Sequence, residues 1–112
     1  MELLDHATKV FLKEMEPVMG GAIPAIFHCR MNGCPPCDEL EEVLKTIHME
    51  FGQQIIINSV DVDELVGMAM KWKITGFPTL IVYKDGVLVW RHNGFIKAKE
   101  LKEAMNGVIL MK

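Results

Sequence analysis

The chain has 112 residues, half of them hydrophobic, and a formal net charge of −3. That length suits one domain over residues 1–112 with a core of its own, and the lack of a basic run removes any electrostatic case for nucleic acid. Three cysteines cannot build a full disulfide framework, so the count points to a reducing compartment, where paired cysteines tend to be catalytic or metal-binding. The start, Met1-Glu2-Leu3-Leu4-Asp5-His6, lacks the basic-then-apolar order of a signal peptide. The longest apolar run, Ala22 to Phe27, is interrupted by Pro24 and is far too short to span a bilayer. A cytoplasmic protein with no membrane partner is expected.

In chain order, Leu3, Leu4, Ala7, Val10, Phe11 and Met15 recur at helical spacing and predict a first helix ending near Pro17. Gly20-Gly21 follows as a linker, and residues 23–29 read as a short buried strand. Arg30 to Gly33 is a loop. Leu40, Val43, Leu44, Ile47 and Phe51 mark one face of a second helix, which Gly52 stops. Ile55 to Val62, rich in β-branched residues, predicts a strand. Asp63 suits the N-cap of a third helix that buries Leu65, Met68, Ala69 and Trp72. Thr79 to Tyr83 and Val87 to Arg91 form two strand runs joined around Asp85-Gly86, a strong hairpin signal. After a turn at Gly94, the last helix buries Leu101, Ala104, Met105, Val108 and Ile109. A right-handed strand–helix–strand crossover makes a parallel pair and the hairpin adds an antiparallel one. The expected architecture is α/β, a central four-stranded mixed sheet flanked by helices.

The chemistry centres on Cys34-Pro35-Pro36-Cys37, which follows a strand and opens a helix. Near the N-cap of that helix, free N–H groups and the positive end of the dipole favour a Cys34 thiolate. Cys37 lies inside the first turn and is the more enclosed, so Cys34 should attack and Cys37 should resolve the mixed disulfide. The alternative is a structural or metal-binding pair. The two prolines remove two donors and leave mainly the N–H of Cys37 for the Cys34 sulfur. Pro36 also disfavours helical angles at Pro35, which predicts a helix starting one residue late. Asp38 and Glu39 suit the dipole but oppose a thiolate, whereas Arg30 and His28 favour one if they face it.

Cys29-x₄-Cys34-x₂-Cys37 matches three positions of a plant-type iron–sulfur spacing, yet the fourth cysteine it requires is missing from a chain with three. Cys29 fits a buried strand position instead. His6, His48 and His92 have no ligand-like spacing, and Asp61, Asp63 and Glu64 fit a strand end and a helix cap. No metal or cofactor is expected.

The stretch Val62-Asp63 through Ala69-Met70-Lys71-Trp72-Lys73-Ile74-Thr75-Gly76-Phe77-Pro78-Thr79-Leu80, then Tyr83-Lys84-Asp85-Gly86 and Gly94, resembles the thioredoxin family when taken with the C-P-P-C motif. The resemblance runs from residue 23 to about 110. It implies a thiol–disulfide oxidoreductase that reduces protein disulfides, served by a thioredoxin reductase or another dithiol donor, in electron transport and cell redox homeostasis. It also implies that Pro78 is cis and packs beside the dithiol. The Phe77 backbone and Gly94 would then belong to the surface that takes an extended substrate segment. Three features depart from the family. Gly33 stands where Trp is usual. His28 and Ser59 stand where a buried Asp and its Lys partner are found, the Asp being the group thought to help move the proton of the resolving cysteine. His28 is the candidate substitute, its alternative being a satisfied core histidine. No strand precedes the first helix, so four strands are expected rather than five. A glutaredoxin-like, glutathione-coupled reductase and a redox-idle binding module are the competing functional readings.

Overall fold

Ala25-Ile26-Phe27-His28-Cys29 leaves no polar face for water, and β1 (Ala25–Arg30) is accordingly buried on both sides. The computed structural model describes residues 4–112, and in it β1 is an inner strand of a four-stranded sheet. β2 (Ile56–Asp61) pairs with it in parallel and β3 (Thr79–Lys84) antiparallel, while β4 (Val87–Asn93) pairs antiparallel with β3. The strand order is β2-β1-β3-β4, and the helices are α1 (His6–Met19), α2 (Pro35–Phe51), α3 (Gly67–Lys71) and α4 (Ala98–Leu110). The architecture is the mixed four-stranded sheet that the element pattern predicts, in the thioredoxin-like form that the resemblance implies. Cys29 pairs with Thr79 and Thr79 with Asn93. The end of β1, the start of β3 and the end of β4 therefore meet at one end of the sheet.

Alternation along β1 divides the core. Ile26 packs with Leu40, Leu44 and Ile47 of α2, Leu80 and Val82 of β3, and Leu101 and Met105 of α4. Ala25, Phe27 and Cys29 pack on the opposite face with Phe11 and Met15 of α1, Met68 of α3, and Trp72. Phe27 is the centre of an aromatic cluster, its ring centroid 5.3 Å from Trp72, 6.2 Å from Tyr83 and 6.3 Å from Phe11. The β3–β4 turn has positive φ at both Asp85 and Gly86, 54° and 79°, the type I′ combination that suits twisted strands.

Three local expectations are corrected. The first helix runs past Pro17 to Met19, because a proline this close to the end costs only one late hydrogen bond. It starts at His6 and is capped by Asp5, whose carboxylate accepts from the Thr8 N–H at 3.1 Å and the Thr8 hydroxyl at 2.7 Å; Leu3 of the sequence stripe lies outside the described residues. The third helix is only Gly67–Lys71, and Asp63 does not cap it. The Asp63 carboxylate instead accepts from the Asn32 N–H at 2.6 Å. The Gly67 N–H is taken by Asp5 at 3.0 Å and by Thr8 at 3.2 Å, so a tertiary partner does what a local cap was expected to do. The second helix begins at Pro35, not later. Cys34 is extended (φ −119°, ψ 93°), which is both the geometry a following proline favours and the one an N-cap needs.

Candidate active site

The α2 start carries the dithiol. Cys34 is the N-cap, Cys37 lies in the first turn, their Cα atoms are 5.3 Å apart, and the two are joined as a disulfide. Cys37 is fully buried; Cys34 is half-buried and flanked by exposed Gly33, Pro35 and Pro36. Prolines at the first two helical positions have no N–H to offer, and the Cys37 N–H points to the Cys34 sulfur at 3.2 Å. Gly33 has a φ of 67°, a left-handed conformation that a tryptophan would hold only under strain. The loss of the family's aromatic residue and the local backbone thus agree. Asp63 anchors the same loop through Asn32.

The Phe77–Pro78 peptide bond is cis, the Pro78 carbonyl accepts from the Gly94 N–H at 2.7 Å, and the Thr79 hydroxyl donates to the Gly76 carbonyl at 2.8 Å. Pro78 and Gly94 are thereby locked together at the end of the sheet from which the Cys34 loop leaves. Phe77 is half-buried and lines a shallow cavity of about 350 Å³ with Met31, Val62, Asp63, Val66 and Ala69. Met31, three residues before Cys34, brings the loop and Phe77 to one concave surface.

Behind the dithiol the polar groups are not those of the family pattern. His28 lies on the α2 face of β1 with its ring fully buried, and its Nδ1 is 2.9 Å from Glu41 Oε1. Its Nε2 is buried with no partner among the described residues. Burial lowers the imidazole pKa below its ordinary 6.5; Glu41 opposes that shift without cancelling it, and Arg30 adds to it. The same Glu41 oxygen lies 3.4 Å from Arg30 Nη1 and 3.4 Å from Ser59 Oγ. Arg30 also binds Asp38 at 3.0 Å, so its charge is committed to two carboxylates. Glu41 escaped the sequence reading. Its one signal was position, a carboxylate one turn beyond Cys37 on the helix face that turns towards β1.

Cys29 sits on the opposite face, in the aromatic core with Phe27 and Trp72. Desolvation pushes its thiol up to about 12, against a smaller opposite pull from Arg91. It is a protonated core residue separate from the dithiol. His92 bonds the Phe95 carbonyl at 3.1 Å and stacks on Trp90. Among the described residues no helix is long and apolar enough to cross a membrane.

A redox-active Cys-x-x-Cys disulfide at a helix N-terminus, one sulfur buried and one reachable, on an α/β sheet of this topology, defines a thiol–disulfide oxidoreductase. The thioredoxin family model matches residues 14–107. Thioredoxin of Bacillus subtilis is 37% identical over 73 residues, covering 65% of this chain and 70% of that one. A thioredoxin-like protein of Synechocystis sp. is 28% identical over 93 residues, 83% of this chain and 89% of that one. The oxidised form of mitochondrial thioredoxin 3 from Saccharomyces cerevisiae superposes with a TM-score of 0.76 at 21% identity, over 86% of this chain and 89% of its own. The chain belongs to the thioredoxin family.

Proposed function

We propose that this oxidoreductase works as a reductant of protein disulfides, with residues 1–112 acting as one domain. The Cys34 thiolate attacks a substrate disulfide, and Cys37 then attacks the Cys34 sulfur of the mixed disulfide. The substrate leaves as a dithiol and the Cys34–Cys37 disulfide remains, to be reset by a thioredoxin reductase or another dithiol donor. One observation carries the assignment: Cys37 is fully buried while Cys34 is half-exposed at the N-cap, so a bulky disulfide reaches Cys34 first. The extended substrate segment lies along Phe77, Pro78 and Gly94, supported by their shared end of the sheet and by the concavity between Phe77 and Met31. His28 takes the proton of Cys37, supported by its buried Nε2, which has no partner among the described residues, on the face covered by α2. A cytoplasmic setting fits a chain that keeps Cys29 as a buried free thiol.

The test is reduction of a disulfide-bonded protein by dithiothreitol with and without the chain. Wild type accelerates the reaction and Cys34→Ser leaves only the dithiothreitol background. Equal rates for wild type and Cys34→Ser overturn the proposal. Turnover supported by glutathione but not by a thioredoxin reductase moves the reading to a glutaredoxin-like donor.

A further inference from the structure

We infer that Glu41 is a positioning residue for the resolving step: it fixes His28 as the Nδ1–H tautomer and supports the imidazolium formed when Cys37 gives up its proton. The inference rests on the reading of Cys37 as the resolving cysteine. An ionised carboxylate only accepts, so the 2.9 Å contact with Glu41 Oε1 requires a proton on Nδ1. Nε2 is then a lone pair, buried and without a partner among the described residues. An acceptor in that state is costly in a structural core. It has a use if a proton arrives during the reaction. Cys37 is the buried acid on this face, one helical turn before Glu41. The other charged groups are Arg30 on β1, which binds Glu41, and Asp38 on α2, which draws Arg30 outward. Ser59 on β2 also reaches Glu41. Lys45 and His48 border the outer cavity that Glu41 lines. Leu80 and Val82 of β3 and Leu101 and Met105 of α4 are apolar; Lys84, at the far end of β3, is held by the α4 carbonyls of Val108 and Ile109, and His92 of β4, opposite Leu80, is bonded to the Phe95 carbonyl.

The Cys37 S–H bond breaks and its proton goes to His28 Nε2. The Cys37 sulfur bonds to the Cys34 sulfur as the bond from Cys34 to the substrate sulfur breaks. The substrate sulfur leaves with the electron pair and is protonated from solvent, and the imidazolium later loses its proton to solvent. The two cysteines are oxidised and the substrate disulfide is reduced. Glu41 neither bonds to substrate nor carries the proton; its charge, held by Arg30 and Ser59, makes the imidazolium tolerable in a buried site.

Two measurements test this. In ¹⁵N-labelled wild type, reduced so that Cys37 is a thiol, the His28 ring nitrogens report the tautomer directly. The inference requires Nδ1–H, and an Nε2–H ring overturns it without any substitution. Stopped-flow kinetics then separate attack on a substrate disulfide from decay of the mixed disulfide. Glu41→Gln keeps an acceptor for Nδ1–H but removes the charge. Its mixed-disulfide decay is expected to slow by roughly tenfold and to change its pH profile, the initial attack staying within about twofold. Glu41→Ala, which removes the acceptor, gives a tautomer mixture. Decay in Glu41→Gln with the rate and pH profile of wild type overturns the inference while leaving the disulfide-reductase reading in place. Loss of that reading shows separately, as a wild type that never forms the mixed disulfide.

Discussion

Phe27 and His28 are neighbours in β1 and do opposite work. Phe27 turns to the face closed by α1 and α3, where Phe11, Trp72 and Tyr83 surround it and the Trp72 indole N–H donates to the Tyr83 hydroxyl at 3.2 Å. His28 turns to the face covered by α2 and α4, where an otherwise apolar layer admits one buried ring, Glu41 and the dithiol helix. Both side chains are fully buried. The difference is that one is satisfied by packing alone and the other has a ring nitrogen with no partner among the described residues. A single inner strand thus holds the scaffold with one set of alternate residues and, in the proposed mechanism, serves the chemistry with the other.

That contrast sets the order of expected effects. Phe27→Ala should cost roughly 3–5 kcal/mol, the price of emptying a buried aromatic site, a large share of a total stability of about 5–15 kcal/mol. Denaturant unfolding measures it, and a cost below about 1 kcal/mol would deny Phe27 its central place. Whatever protein remains folded should keep the order of attack and resolution, because the aromatic face does not carry the dithiol.

His28 should show itself through pH. Its folded-state pKa lies below its ordinary 6.5, so below that pH the unfolded chain binds a proton that the buried ring refuses. Unfolding stability therefore rises with pH through the window under about 6.5, and falls on acidification. His28→Asn should flatten that slope, read from urea midpoints at pH 5 and pH 7. An unchanged slope would assign the effect elsewhere. The smallest expected effect is at Asp5, whose carboxyl is held below its ordinary 3.8 chiefly by the hydrogen bond from Thr8, with burial acting against it. Its stabilisation is present above the ordinary value and is lost as pH falls through the lowered one. Asp5→Ala should lower Tm slightly at pH 7, and the gap should close in strong acid.

The order of elements, the sheet type and the dithiol were legible because each rests on a local pattern: β-branched runs, helical stripes, Asp85-Gly86, and two cysteines at a helix start. The third helix was misread because Gly67 is capped across the fold by Asp5 and Thr8, partners far away in sequence. Asp63 looked like a cap for the same reason, since its hydrogen bond to Asn32 spans 31 positions. Glu41 stayed hidden because its importance comes from meeting His28, Arg30 and Ser59 on two strands. Spacing along α2 alone marks it only as a helix residue beyond Cys37. The prolines act in the other direction: Pro35 is helical although Pro36 follows it, and the extended residue is Cys34, which both Pro35 and the cap prefer.

The central claim is that Cys34 attacks and Cys37 resolves, and mixed-disulfide trapping tests it most directly. Reduced Cys37→Ser and Cys34→Ser would each be mixed with the same disulfide-bonded protein, quenched with acid, and mapped by mass spectrometry. The account predicts that Cys37→Ser accumulates substrate on Cys34 and that Cys34→Ser accumulates almost none on Cys37. Equal trapping on Cys37 in the Cys34→Ser protein would contradict it.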